Sequence, residues 1–246
     1  MKIKKILISD LDLHYGSFRD FTNYIFEKIE SDGSQLIIVH INLNNYYLVN
    51  KDKTLYTNIK NNSIAVFEGI GLKLCMAVKG NGLLKDLNGT DLFPLFLKKL
   101  KAKGLGIFLL GASQESVKKT YNHIKQNYPG VKVLGYHNGY FKKSDEERIV
   151  ESVNKSGADV LMIGMGFPLQ ENFVFKYRNK LNAVLIWNLG GLFDIISGFK
   201  PRAPMLIRRV RLEWLYRFFK EPIRMFHRNT IAAIWSIGNI LFFKKN

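Results

Sequence analysis

The 246-residue chain has one cysteine, Cys75, so an intramolecular disulfide is excluded and a reducing compartment fits. It is also short of acid, with 20 Asp and Glu against 37 Lys and Arg and a net charge of +17. A surplus of that size suits a polyanionic partner, whether nucleic acid, an anionic membrane or phosphorylated substrates. Apolar runs long enough to span a bilayer are missing. The longest late one, Thr230 to Phe243, falls short of the roughly 20 residues required and suits a place in the interface instead. No signal peptide is expected, because Ile6-Leu7-Ile8 is followed at once by Ser9, Asp10 and Asp12. Walker, GxGxxG, HExxH and CxxC patterns are all missing. Asp10-Leu11-Asp12 has the spacing of an acidic metal pair but no further ligand beside it, so no metal site is expected.

What is present is 47% hydrophobic residues, enough for one large core, arranged in alternating strand and helix patterns. Strands are expected at Ile3 to Ile8, Leu36 to Ile41, Ile64 to Phe67, Gly106 to Leu110, Lys132 to Tyr136, Asp159 to Ile163 and Ala183 to Trp187. Helices are expected at Phe18 to Glu30, Thr90 to Lys103, Gln114 to Tyr128 and Asp145 to Lys155. Continuous apolar strands between helices predict an α/β fold: a mainly parallel, Rossmann-like sheet covered by helices on both faces. Lys200-Pro201-Arg202-Ala203-Pro204 breaks that pattern. The catalytic α/β domain is therefore expected over residues 1–198, and a small, basic, aromatic helical appendage over 199–246. From Lys200 to Asn246 there are 11 Lys and Arg against Glu213 and Glu221, a local charge of +9.

Ligands of parallel sheets sit at the carboxyl ends of the strands. Glycines gather at those ends here: Gly69 and Gly71, Gly111, Gly139, Gly164 and Gly166, Gly190 and Gly191. Any one of them is satisfied by a turn. Together they suggest a crevice where backbone approaches a phosphate or a sugar.

Three segments carry more: GMGFPLQE from Gly164, GGLFDIISGFKPRAP from Gly190 and LEWLYRFFKEPIR from Leu212. In order and spacing they resemble the patterns GxGxPxQE, GGxFDxxSGxxxRAP and LEWxxRxxxEPxR of the WecG/TagA/CpsF family, glycosyltransferase family 26. LLGASQES, YPGVKVLGYHNGYF and NGTDLF resemble other segments of that family, so the likeness runs from about Ile3 to Arg228.

The resemblance implies transfer of a sugar from a UDP-sugar to a polyprenyl-diphosphate-linked saccharide, with inversion and with neither metal nor cofactor. The sugar would be N-acetylmannosamine or a relative such as its uronic acid, or glucose. The products would feed cell-surface polysaccharide or teichoic acid, and the place would be the cytoplasmic face of a bacterial inner membrane, held peripherally on its anionic surface. An oligomer is allowed.

Residue by residue, Glu68 in VFEGIGL stands where the family has a proposed catalytic aspartate, one methylene longer. Asn42 matches an asparagine of the preceding strand end, while His40 replaces a threonine; it is either structural, a determinant of donor choice or an assisting base. Asp86 stands where many members have arginine. Gln170 and Glu171 match the QE pair, as sugar or uracil contacts or as helix caps. Asp194 matches the GGxFD aspartate, as a hydroxyl ligand or a cap. Tyr140, beside Gly139, joins the expected donor site. Arg202, Arg211, Arg217, Arg224 and Arg228, interleaved with Trp214, Tyr216, Phe218 and Phe219, are expected to meet the acceptor diphosphate and the membrane. Two other functions compete. A nucleic-acid-binding module would account for the charge but not for the motifs, so no nucleic acid is expected. A catalytically altered scaffold would account for the changes at His40, Glu68 and Asp86.

Overall fold

In a computed structural model, residues 3–200, 204, 216 and 222–242 are described, with side chains for all of these except residue 32 and residues 222–229. The chain opens with β1 (Lys4–Ile8) and β2 (Leu11–Tyr15), an antiparallel hairpin. Its turn residues Ser9 and Asp10 both have positive φ, 45° and 67°, the backbone a two-residue hairpin loop requires. Then follow α1 (Phe18–Asp32), β3 (Leu36–Ile41), α2 (Leu43–Lys51), α3 (Lys53–Asn62), β4 (Ile64–Phe67), α4 (Ile70–Val78), α5 (Gly89–Lys103) and β5 (Gly106–Gly111). The chain continues through α6 (Gln114–Asn127), β6 (Lys132–His137), α7 (Glu146–Lys155), β7 (Val160–Gly164), α8 (Leu169–Tyr177), β8 (Leu185–Asn188) and α9 (Leu192–Ile196). The last described helix is α10 (Pro222–Phe242).

The eight strands form one sheet in the order β1-β2-β4-β3-β8-β7-β5-β6, parallel throughout except for the opening hairpin. Strand period two sorts the apolar side chains to opposite faces. Ile37, Val39 and Ile41 of β3 enter a core with α2, α3, α4, α7 and α8, whereas Leu36 and Ile38 enter a second core with α1, α5, α6 and α9. The expected two-sided α/β sheet is therefore present. Residues 43–51, 53–62 and 70–78, for which no elements were expected, are helices. Asn42 and Asp52 start α2 and α3 by accepting from the N–H of Asn45 and Leu55, at 3.0 Å each.

The segment expected as the appendage from residue 199 is described mainly over its last helix. The helix α10 packs against α2 and α4. Ala232, Ser236 and Ile240, four residues apart, are buried on one face, and Ile240 joins the core of the α/β unit. Ser236 Oγ donates to the Leu43 carbonyl at 2.8 Å, and the Tyr46 hydroxyl donates to Asn239 Oδ1 at 2.7 Å. Lys79 Nζ donates to the Ile240 carbonyl at 2.8 Å.

The glycines at the ends of β5, β6 and β7 are a packing device. A Cβ on Gly111, whose φ is +145°, would stand 2.4 Å from the Gly164 carbonyl, and one on Gly139 would stand 2.9 Å from the Gly111 Cα. Ala112 N–H donates to the Gly164 carbonyl and Gly139 N–H to the Ala112 carbonyl, both at 2.9 Å. Backbone lies on backbone there, with no room for a side chain. Gly111→Ala is expected to lower unfolding free energy by about 2–4 kcal/mol, through overpacking against main chain together with a φ that alanine resists. Urea unfolding followed by circular dichroism measures it.

Candidate functional site

Strand order sets the site. The chain leaves β3 for α2 on one face of the sheet and leaves β8, the neighbour of β3, for α9 on the other. Between these departures a crevice of about 310 Å³ opens at the carboxyl edge. His40 and Asn42 from the end of β3, Glu68 from β4, Gly166 from β7 and Asn188 and Gly190 from β8 are among the residues that line it. Glu68 N–H donates to the Ile41 carbonyl at 3.0 Å and Leu189 N–H to the Ile163 carbonyl at 2.7 Å, so the loops are tied as they leave the sheet.

His40 and Glu68, expected as the catalytic pair, are brought together: His40 Nδ1 stands 3.1 Å from Glu68 Oε2. That oxygen is within ion-pair range but makes no aligned hydrogen bond with the ring. The other ring nitrogen accepts from Trp187 Nε1 at 2.9 Å. Glu68 is the more exposed partner, its side chain 29% accessible against 8% for His40.

Gln170 lines the crevice as expected, but its contacts go to protein. Its Oε1 accepts from Gly166 N–H at 3.2 Å and from Gly190 N–H at 3.0 Å, clasping the loops after β7 and β8. Its Nε2 donates to Glu171 Oε1 at 2.8 Å, which fixes which end of the amide faces the glycines. Glu171 is fully buried and does not line the crevice. Burial pushes its carboxyl from the ordinary 4.5 up to about 8, against the weaker opposing pull of Gln170, its own backbone and Asn188. At neutral pH it is therefore a neutral acid.

Several expected donor contacts lie elsewhere. Asp194 faces α6, accepting from Ser116 Oγ at 2.9 Å and from Lys200 Nζ at 2.5 Å. Gly71 serves helix packing, since a Cβ there would meet Leu43 at 2.3 Å. Gly111, Gly139 and Gly164 are consumed in the backbone contact already described, and Tyr140 is 81% exposed away from the crevice lining. Gly69 starts α4 at a φ of 93°, with Asp86 Oδ2 at 3.4 Å from its N–H. Asp86 itself is paired with the buried amine of Lys73, which offsets the reversal of charge at that position. Asn42, Gly166, Gly190 and Gly191 do line the crevice. Arg202, Arg211 and Arg217 lie outside the described residues; Arg224 and Arg228 fall in α10, their side chains outside the description.

The sequence reading missed Asn188. It is 1% exposed, it lines the crevice, and neither of its amide atoms has an aligned partner. The only signal was its place directly before Leu189-Gly190-Gly191. Among the described residues no group of His, Cys, Asp and Glu has the makeup to hold a metal ion.

The sheet and the crevice at its carboxyl edge are those of a mainly parallel α/β protein. The chain belongs to the glycosyl transferase WecG/TagA/CpsF family, whose sequence model matches residues 6–245. Its relatives include a protein of Bacillus spizizenii, 34% identical over 157 residues, which are 64% of this chain and 60% of that protein. One of Bacillus subtilis is 30% identical over 210 residues, 85% of this chain and 79% of the relative. One of Staphylococcus aureus is 30% identical over 155 residues, 63% of this chain and 60% of the relative. All three are named N-acetylglucosaminyldiphosphoundecaprenol N-acetyl-beta-D-mannosaminyltransferase.

The raised carboxyl of Glu171 has a stability signature. Between pH 4.5 and about 8 the unfolded chain has released this proton while the native chain keeps it. The native state binds more protons there, so this group's contribution to stability falls as pH rises through that window. Glu171→Gln is expected to remove that slope, gaining most over the parent above pH 8. Paired urea titrations at pH 5, 7 and 9 read the difference; parallel pH dependences would contradict a neutral Glu171.

Proposed function

We propose that this chain transfers an N-acetylmannosamine-type sugar from a UDP donor to a polyprenyl-diphosphate-linked N-acetylglucosamine acceptor, in the synthesis of a cell-surface polymer such as teichoic acid. The observation that carries the reading is the Glu68 carboxylate, beside His40, in the carboxyl-edge crevice of a chain of this family. The relatives' shared name supports the acceptor and the sugar. The chemistry is one displacement. The acceptor hydroxyl oxygen attacks the anomeric carbon, Glu68 takes the hydroxyl proton, and UDP leaves with the electrons of the broken C–O bond. A single displacement inverts the anomeric carbon. No metal takes part in it.

The reaction takes place at the cytoplasmic face of the membrane, where the acceptor's lipid is anchored. Among the described residues no helix is long and apolar enough to cross a membrane. The face of α10 turned away from α2 exposes Ile231, Ile234, Ile237 and Phe242, and α4 beside it exposes Leu74 and Val78. Apolar residues of this kind, on a chain of net charge +17, support peripheral docking on an anionic leaflet. The catalytically altered scaffold predicts the same docking with no turnover.

Two experiments test this. Glu68→Gln is expected to lower kcat by about 10²–10⁴, the usual loss of a general base. The assay follows UDP release from UDP-N-acetylmannosamine with a short-chain lipid-linked acceptor, run with and without EDTA. Equal rates with EDTA are expected; loss restored by Mg²⁺ would refute the metal-free step, and a parent chain without turnover would favour the scaffold. Separately, Ile234→Asp, on a residue 68% exposed, is expected to weaken sedimentation with anionic liposomes at least about tenfold while leaving the melting temperature unchanged.

A further inference from the structure

His40 is buried between two partners of opposite hydrogen-bonding character. Behind it lies Trp187, fully buried, with its ring 4.2 Å from that of Phe96. An indole N–H is a donor only. Because it donates to His40 Nε2 at 2.9 Å, that nitrogen keeps its lone pair, and the neutral ring carries its proton on Nδ1. Nδ1 is the nitrogen 3.1 Å from Glu68 Oε2. The His40 backbone is held as well, its carbonyl accepting from Asn45 Nδ2 at 2.9 Å.

We propose that Trp187 locks His40 in the Nδ1–H tautomer, and that His40 is thereby a positioning residue that holds one oxygen of Glu68 and leaves the other for the acceptor hydroxyl. The inference rests on Glu68 as general base. It also removes His40 as a competing base, since one of its nitrogens is protonated and the lone pair of the other is engaged by a buried donor. Glu68 Oε2 now lies off the N–H axis, and a turn of the partly exposed Glu68 side chain brings it on. Hydrogen bonds of this kind commonly tighten when substrate binds. A glutamate has one more torsion than an aspartate, and this contact restrains it.

Two measurements on the full chain test the proposal. The first needs no substrate: long-range ¹H–¹⁵N correlation spectra at pH 8, with the His40 signals assigned by their loss in His40→Asn. A neutral ring protonated on Nδ1 is expected; a ring protonated on Nε2, or a doubly protonated ring, would overturn the lock. The second is kinetic. The amide of His40→Gln reaches the Nε2 position and accepts from Trp187, but offers Glu68 no donor. It is expected to lose about 10- to 100-fold in kcat, the worth of one hydrogen bond to a charged group, with KM within about twofold. His40→Asn, whose amide reaches the Nδ1 position, is expected to recover most of that loss. Equal losses in both variants would mean a structural role only, and no loss in His40→Gln would mean no role; either overturns the proposal. Glu68→Gln in the same assay separates the two readings. If it is inactive while His40→Gln is unimpaired, only the positioning role falls. If it turns over normally, the general-base reading falls and takes the positioning role with it.

Discussion

The crevice depends on one carbonyl. Gln170 Oε1 accepts the N–H of Gly166 and of Gly190, and so joins the loops leaving two adjacent parallel strands. Without such a bridge, the two glycines at positive φ, 85° and 58°, would have only their local turns beyond the tie from Leu189 N–H to the Ile163 carbonyl. An amide can point either end at the glycines. Glu171 settles the choice by taking the N–H₂ end, and it does so from complete burial, where its second carboxyl oxygen has no aligned partner. A fixed crevice wall is thus held by a buried acid kept neutral by its surroundings.

The sheet and most of its helices were legible in the sequence because period two and period 3.6 are imposed by burial on two faces. The helices α2 and α3 were not, because their apolar residues are few and set among asparagines. Tyr46 and Val49, then Leu55 and Ile59, are the buried apolar positions, and residues such as Asn44, Asn45, Asn58, Asn61 and Asn62 have poor helix propensity. Packing, with a side-chain cap at each start, outweighs that propensity. Glycine was ambiguous in a different way. A position where backbone must touch backbone and one where backbone must meet a ligand both exclude a Cβ, so Gly111, Gly139 and Gly164 read in sequence like Gly166, Gly190 and Gly191. Only the three-dimensional arrangement separates them.

The site residues divide in a similar manner. A motif reports that a residue type is needed but not what it faces. Gln170 and Asp194 both sit in matched motifs, yet one joins the loops of the crevice and the other ties α9 to Ser116 and Lys200. Asn188 belongs to no spacing rule and is found by its place in the crevice lining and its buried amide, which has no aligned hydrogen bond. His40 and Asp86 read in sequence as departures from the family pattern. Each has an answering partner in the fold: Trp187 and Glu68 around the imidazole, and Lys73 beside the carboxylate.

The docking of α10 has a consequence for the birth of the protein. The helices it covers, α2 and α4, begin at Asn42 and Gly69, immediately after the strand ends that carry His40 and Glu68. Translation produces α10 after every other described helix. While the ribosome is still making the tail, α2 and α4 keep an uncovered apolar side, and the Leu43 carbonyl lacks its Ser236 donor. The packing behind α2 and α4 is thus completed only by the last described helix to be made, and that helix turns its other, apolar face outward.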